Sequence, residues 1–343
     1  MELTRRVFLQ AAGAAGMTLS GGDLNLTASA APAQGARHYR FVQMDVFTSL
    51  RLQGNPLAVF PDARGLSDEQ MQGLARETNL QETTFVLPRD PAVERQEGVK
   101  VRIFVPNEEI PFGGHPTLGT AMLLRNLRSK ENQSRSAGSE SVSEITLDLK
   151  VGKVPVRFTQ GLDGNIFGEM RQVDPKFGPV YDRESIAAAL DLRPGDISEY
   201  PPIQSVSTGL PFILVPVKGL STLQRLTAAP RKAYDFLRSH GLPNIADYYY
   251  VTRDTGDAAV GARARAIYPE GEDPATGSAA GCTAAWMVQY GLMRSDEKIH
   301  IVQGVEVKRT SHIFAQAGKV GDTVTNVRVG GNAMQIMEGT YSL

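Results

Sequence analysis

Val101-Arg102-Ile103-Phe104-Val105-Pro106, a short acidic loop, then Gly113-Gly114-His115-Pro116-Thr117-Leu118-Gly119-Thr120-Ala121 is one half of a repeat. The other half is Ala264-Arg265-Ala266-Ile267-Tyr268-Pro269, a short acidic loop, then Asp273-Pro274-Ala275-Thr276-Gly277-Ser278-Ala279-Ala280. Each copy reads as a strand ended by proline, an acidic loop, a Gly/Thr/Pro turn and a helix. Two copies this far apart rule out a solenoid and predict two halves built alike.

The helices after the turns are unusual. Leu118 to Leu124 carries almost no polar residue on any face, and Ala279 to Val288 is nearly all apolar and small. A helix that is apolar all round must be surrounded. Strands flank both helices in sequence, so each is expected inside its own curled sheet, with the halves facing across a cleft. Alternation at Val42, Met44 and Val46, and at Ile145, Leu147, Leu149 and Val151, predicts half-buried strands. Ser67-Asp68-Glu69-Gln70 has the form of a capping box before a helix. The polar run 126–144 reads as a surface excursion or flexible loop. The expected division is 39–155, together with the C-terminal tail, and 156–325.

The chain has 343 residues, about two domains at ~150 residues each, and 41% hydrophobic residues, enough for substantial cores. Its 36 basic and 37 acidic side chains nearly cancel, which argues against binding nucleic acid through bulk charge. Cys282 is the sole cysteine, so no internal disulfide or four-cysteine metal site can form. The five histidines show no paired spacing, and no metal site is expected. No later segment is long and apolar enough to be expected to span a membrane.

Residues 1–35 read as a targeting segment rather than as fold. Arg5-Arg6 precedes an Ala/Gly-rich, weakly apolar stretch, and Ala28-Ser29-Ala30 or Ala31-Pro32-Ala33 offers a cleavage site. This is the pattern of a twin-arginine export signal, and it predicts a periplasmic or secreted mature protein.

A helix N-terminus presents amides without intrahelical acceptors and a partial positive charge. The two turns therefore predict two anion sites, entered through glycines that allow close approach of a ligand. A small carboxylate is the natural guest. His115 and Asp273 are read as occupying matching positions of the two turns, with Ser278 one turn further on. Glu82 stands at a helix-to-strand joint in Asn79-Leu80-Gln81-Glu82-Thr83-Thr84-Phe85.

With Asp45-Val46-Phe47, Gly54-Asn55-Pro56, Gln81-Glu82-Thr83, Gly114-His115-Pro116-Thr117-Leu118-Gly119 and Glu272-Asp273-Pro274-Ala275-Thr276-Gly277-Ser278-Ala279 in this order, the chain from Tyr39 onward resembles the PhzF family. These are phenazine-biosynthesis-like isomerases within the diaminopimelate epimerase fold superfamily. The resemblance implies an α+β fold of two pseudo-symmetric halves, each a barrel-like sheet around a central helix. It implies an active site in the cleft between them, without metal or organic cofactor. It implies Glu82 as the acid/base, and His115, Asp273 and Ser278 as substrate-binding residues with Gly114, Thr276 and Gly277. It also implies that a homodimer is common, although no exposed apolar stripe demonstrates one here. The epimerase relatives carry a cysteine at each turn. This chain has none there, and Cys282 lies about one turn into the helix, which disfavours a two-thiol mechanism.

The leading expectation is a cofactor-independent isomerase of a small, carboxylate-bearing, amino acid-like substrate. Glu82 would remove a proton from carbon and return it elsewhere on the same conjugated molecule. The alternatives are an epimerase or racemase using Glu82 with another group, and an exported binding protein without turnover. A hydrolase is weaker, since no G-x-S-x-G occurs.

The export signal makes a testable prediction. Replacing Arg5 and Arg6 together with lysine leaves the precursor in the cytoplasm, as read by cell fractionation. Unchanged export contradicts the twin-arginine reading.

Overall fold

In β1 (His38–Val46) the alternation read from the sequence turns Val42, Met44 and Val46 inward, where each is fully buried. β1 pairs antiparallel with β2 (Asn55–Phe60). The chain crosses over through α1 (Asp68–Thr78), whose N-terminus carries the Ser67–Gln70 capping box, to β3 (Glu82–Leu87), parallel to β2. Next come α2 (Pro91–Glu97) and β4 (Val99–Phe104), antiparallel to β3. β5 (Glu109–Ile110) folds back on β4, and α3 (Gly114–Arg135) follows. β6 (Glu144–Leu149) returns parallel to β4, and β7 (Gly152–Gln160) and β8 (Ile166–Arg171) add antiparallel.

The second half repeats this order. β9 (Lys176–Val180) and α4 (Arg183–Leu190) lead to β10 (Gln204–Ser207) and β11 (Pro211–Pro216), an antiparallel pair like β1 and β2. The crossover through α5 (Leu220–Gln224) and α6 (Arg231–Ser239) reaches β12 (Asp247–Thr252), parallel to β11. β13 (Ala262–Tyr268) is antiparallel to β12, and β14 (Gly271–Asp273) folds back on it. After α7 (Gly277–Gln289), β15 (Ile299–Gln303) lies parallel to β13, and β16 (Ser311–Val320) and β17 (Thr323–Gly331) complete the copy. β18 (Ala333–Ser342) pairs with β1, as β9 pairs with β10. The corresponding strands β8 and β17 pair antiparallel with each other, Glu169 opposite Gly330. That pairing relates the halves by a local pseudo-two-fold.

This computed structural model describes residues 36–135, 142–161, 164–242, 247–269 and 271–343, and His38–Leu343 forms one contact unit. The export signal expected over residues 1–35 lies outside the described residues. Among the described residues, no helix is long and apolar enough to cross a membrane.

The surrounded helices are found as expected. Leu118, Ala121, Met122 and Leu123 of α3 are almost wholly inaccessible, and every residue of α7 from Gly277 to Val288 is buried. The diaminopimelate epimerase-like architecture implied by the resemblance is the observed one.

Two expectations need correction. Residues 126–135 are not a loop but extend α3. The stretch lacks glycine and proline and is rich in helix-tolerant Arg, Lys, Glu and Gln. Leu127 packs on the core, and Arg128 pairs with Glu94 at 2.7 Å. Residues 136–141 lie outside the described residues. The division at 155/156 would cut β7, which pairs with β6 on one side and β8 on the other. By strand pairing, β1–β8 with β18 form the first half and β9–β17 the second.

The inner helices touch at their first residues. A Cβ on Gly114 would collide with the Ser278 amide nitrogen and lie 2.5 Å from the Gly277 carbonyl carbon. Neither obstacle is a side chain that could rotate away. Gly114→Ala is therefore predicted to cost about 1–3 kcal/mol, the usual range for overpacking. Gly73→Ala in α1, where a Cβ meets nothing within 4 Å, should instead stabilise by about 0.5–1 kcal/mol. Urea denaturation of both variants checks the contrast, and equal effects would contradict the tight contact.

Candidate active site

Two helix N-termini that meet through glycine bring two partial positive charges to one place. The space they face is a cavity of about 530 Å³. Glu82, Gly114, His115, Asp273, Thr276, Gly277 and Ser278 all line it. The structure thus brings together every site residue singled out in the sequence, from positions up to 196 residues apart (278 minus 82).

One detail of the sequence reading changes. Gly114 and Gly277 both begin their helices, so His115 corresponds to Ser278. Asp273 ends β14, four residues before its helix, where the first half has Ile110 at the end of β5. His115 and Asp273 therefore do not occupy matching positions. The N-cap of α7 is Thr276.

Asn55 connects the halves. Its Nδ2 donates to Asp273 Oδ1 (2.5 Å) and to the Ala275 carbonyl (2.9 Å), and lies 3.0 Å from His115 Nδ1. Two of these neighbours can only accept, which fixes the amide orientation. The amide has two hydrogens for three neighbours, so one is shared; because Nδ2 cannot accept, His115 Nδ1 faces it as a lone pair, which puts the imidazole proton on Nε2. Nε2 points at Glu82 Oε2, 3.3 Å away. Both atoms are buried and lack a well-formed hydrogen bond.

Burial decides the charges. His115 is 2% exposed, and desolvation drives its pKa down to about 3, so the ring is neutral. Desolvation raises Asp273 to about 7, against the pull of hydrogen bonds from Thr276, Asn55 and the Ala275 amide. Glu82 is pushed well above the usual carboxyl range, first by desolvation and then by the charge of Asp273. Asp273 has donors on both oxygens, whereas Glu82 Oε2 has none in good geometry. Of the two carboxyls, Asp273 is therefore the one built to hold a negative charge, and Glu82 the one whose protonated form is favoured.

The remaining described lining adds the carboxyl groups of Glu108 and Asp247 and the hydroxyl of Tyr268, with no lysine or arginine. Cys282 is not part of it. Its thiol is fully buried, lies 3.5 Å from Thr208 Oγ1, and is raised to about 11 by desolvation.

Three participants escaped the reading of the sequence as site residues. Asn55 was noted only within its motif, and Tyr268 only as a strand end before a proline. Gln303 hydrogen-bonds four groups around Asp273 and Thr276. Its signal was available: it continues the inward positions Ile299 and Ile301 of β15, where a buried polar residue calls for partners.

Doubled barrels around helices whose ends converge on a site are the diaminopimelate epimerase-like class of enzyme. A probable proline racemase from Agrobacterium radiobacter K84 has this fold at 12% identity, with a TM-score of 0.58 over 88% of this chain and 92% of the other. Within that class the chain belongs to the PhzC-PhzF, phenazine biosynthesis-like protein family, which it matches over residues 44–339, and it is an isomerase of the PhzF type. It is 33% identical over 308 residues to trans-2,3-dihydro-3-hydroxyanthranilate isomerase of Pseudomonas aeruginosa, covering 88% of this chain and 98% of that one. It is also similar to the PhzF-family phenazine biosynthesis protein of Bacillus anthracis, with a TM-score of 0.74, 26% identity, and coverage of 89% and 99%.

The depressed pKa of His115 sets a sign. Between about pH 6.5, its unfolded value, and about pH 3, the unfolded chain binds a proton that the native one refuses. This group's contribution to stability is thus lost as pH falls through that window. Nitrogen-resolved NMR is predicted to show His115 as the neutral Nε2–H tautomer from about pH 8 to about pH 5, well above its native midpoint. An imidazolium signal with a midpoint near 6.5 would contradict the assignment.

Proposed function

We propose that the protein moves a proton on a small, cyclic, conjugated amino acid-like substrate, with Glu82 as the proton carrier. The observation that carries this reading is the buried Glu82 carboxyl 3.3 Å from His115, each with an unpartnered buried atom, Oε2 and Nε2. Buried groups left unpaired are costly, and a polar ligand between the halves would relieve both.

The substrate carboxylate would sit against the first amides of α3 and α7 and the Ser278 hydroxyl. An amino group would find the carboxylates of the wall. The order of transfer follows from the proton at rest. Glu82 gives its proton to one carbon of the conjugated system. Now ionised and facing His115 Nε2–H, it takes a proton from another carbon. One proton is given and one taken, so the product is an isomer and the site is reset. The carboxylates stabilise cationic character on the intermediate, while the helix ends hold its carboxylate in place.

Trans-2,3-dihydro-3-hydroxyanthranilate, after which the Pseudomonas aeruginosa relative is named, is the first compound to try. In heavy water, deuterium should appear at a carbon that gains hydrogen. Deuterium at a carbon that only inverts would instead indicate an epimerase. Glu82→Gln keeps the size and removes the transferable proton, so turnover should fall roughly 10²–10⁴-fold with binding largely retained. Asp273→Ala and Ser278→Ala should weaken binding first. Because Glu82 must be protonated at rest, kcat should fall as pH rises through its elevated pKa. Near-normal turnover by Glu82→Gln would overturn the proposal.

A further inference from the structure

Gln303 is fully buried at the end of β15, and its side-chain amide is saturated. Oε1 accepts from the Thr276 backbone N–H (3.1 Å) and the Tyr249 hydroxyl (2.9 Å). Nε2 donates to the Asp273 carbonyl (2.7 Å) and to Thr276 Oγ1 (2.8 Å). Two of these partners are backbone groups with no choice of role, a donor opposite Oε1 and an acceptor opposite Nε2. They exclude the flipped amide.

The consequence falls on Thr276. Its hydroxyl oxygen receives a proton from Gln303, so its own proton must point elsewhere. Two neighbours remain: the Tyr268 phenol, which can itself donate, and Asp273 Oδ2, 2.6 Å away, which accepts. Asn55 occupies the other oxygen of the same carboxylate.

We propose that Gln303 is a positioning residue that decides which carboxyl of the site carries the charge. It does so by forcing the Thr276 hydroxyl to donate to Asp273, which leaves the proton on Glu82. This deepens the proposed function and rests on it, since that reading needs the proton on Glu82 at rest. Gln303 does not line the cavity; it acts through Thr276.

The other titratable groups around Asp273 do not supply this bias. Glu272 beside it on β14 is acidic and disfavours its charge, and Glu82 on β3 is the carboxyl whose own pKa the Asp273 charge raises. Tyr249 on β12 and Tyr268 on β13 are held neutral by burial, and neutral His115 at the start of α3 reaches it only through Asn55. The donors aimed at Asp273 therefore set the balance.

The test needs no substrate. In the full chain carrying carboxyl-labelled aspartate and glutamate, carbon NMR titration reads the midpoints of Asp273 and Glu82, assigned with Asp273→Asn and Glu82→Gln. Gln303→Leu, or the unbranched Gln303→Met should leucine fail to fold, is expected to raise the Asp273 midpoint by about one pH unit and to lower that of Glu82. Thr276→Val should do the same, and Thr276→Ser should not. Combining Thr276→Val with the Gln303 change should add nothing further, because one residue acts through the other. Unchanged midpoints in a folded Gln303 variant, or full additivity in the double variant, would overturn the proposal. A chain that passes this titration but shows no turnover would instead count against the proposed reaction, so the two failures are distinguishable.

Discussion

The contact between Gly114 and Gly277 is the constraint on which the rest of the site depends. Each begins a helix that is buried inside its own sheet. A Cβ on Gly277 would come within 3.2 Å of the Gly114 Cα and closer still to the Phe47 ring. With hydrogen at both positions, two helix dipoles converge on one cavity wall instead of being spread over two surfaces. Like-signed helix ends side by side are unfavourable alone. They become compatible when negative charge lies opposite them, and Asp273 and a substrate carboxylate supply it.

That arrangement explains the polar cluster around it. Asp273 is buried, where a lone carboxylate would take up a proton and lose its charge. Asn55 from the first half and Thr276 from the second donate to its two oxygens, so the charge is held from both sides of the pseudo-two-fold. Glu82 receives no comparable help, which favours its protonated form. The same amide of Asn55 also fixes the tautomer of His115. A small set of hydrogen bonds thus gives two chemically similar carboxyl groups different ionisation states, as proton-transfer sites require.

Much of this was legible in the sequence because the repeated unit carries its own physical signature. Helices apolar on every face demand enclosing sheets, and glycine-led turns mark the two ends that meet. Glu82, His115, Asp273 and Ser278 stood out only as members of ordered motifs. What could not be read was contact between the halves. Nothing local tells that Asn55 reaches Asp273, 218 residues away, or that Gln303 faces the turn at Thr276. The apparent match of His115 with Asp273 failed because both precede or enter a helix, yet only Ser278 shares the helical position of His115. The polar tract after Asn126 misled because polarity resembles a loop, while its residue types favour continuing the helix with Leu127 on the core.

The central claim is that the resting site stores its proton on Glu82. Infrared difference spectroscopy in the carbonyl region distinguishes a protonated carboxyl from carboxylates, and measuring wild type, Glu82→Gln and Asp273→Asn near neutral pH locates it. The account predicts a protonated-carboxyl band in the wild type that disappears in Glu82→Gln and persists in Asp273→Asn. A band that survives Glu82→Gln and vanishes in Asp273→Asn would place the proton on Asp273 and contradict it.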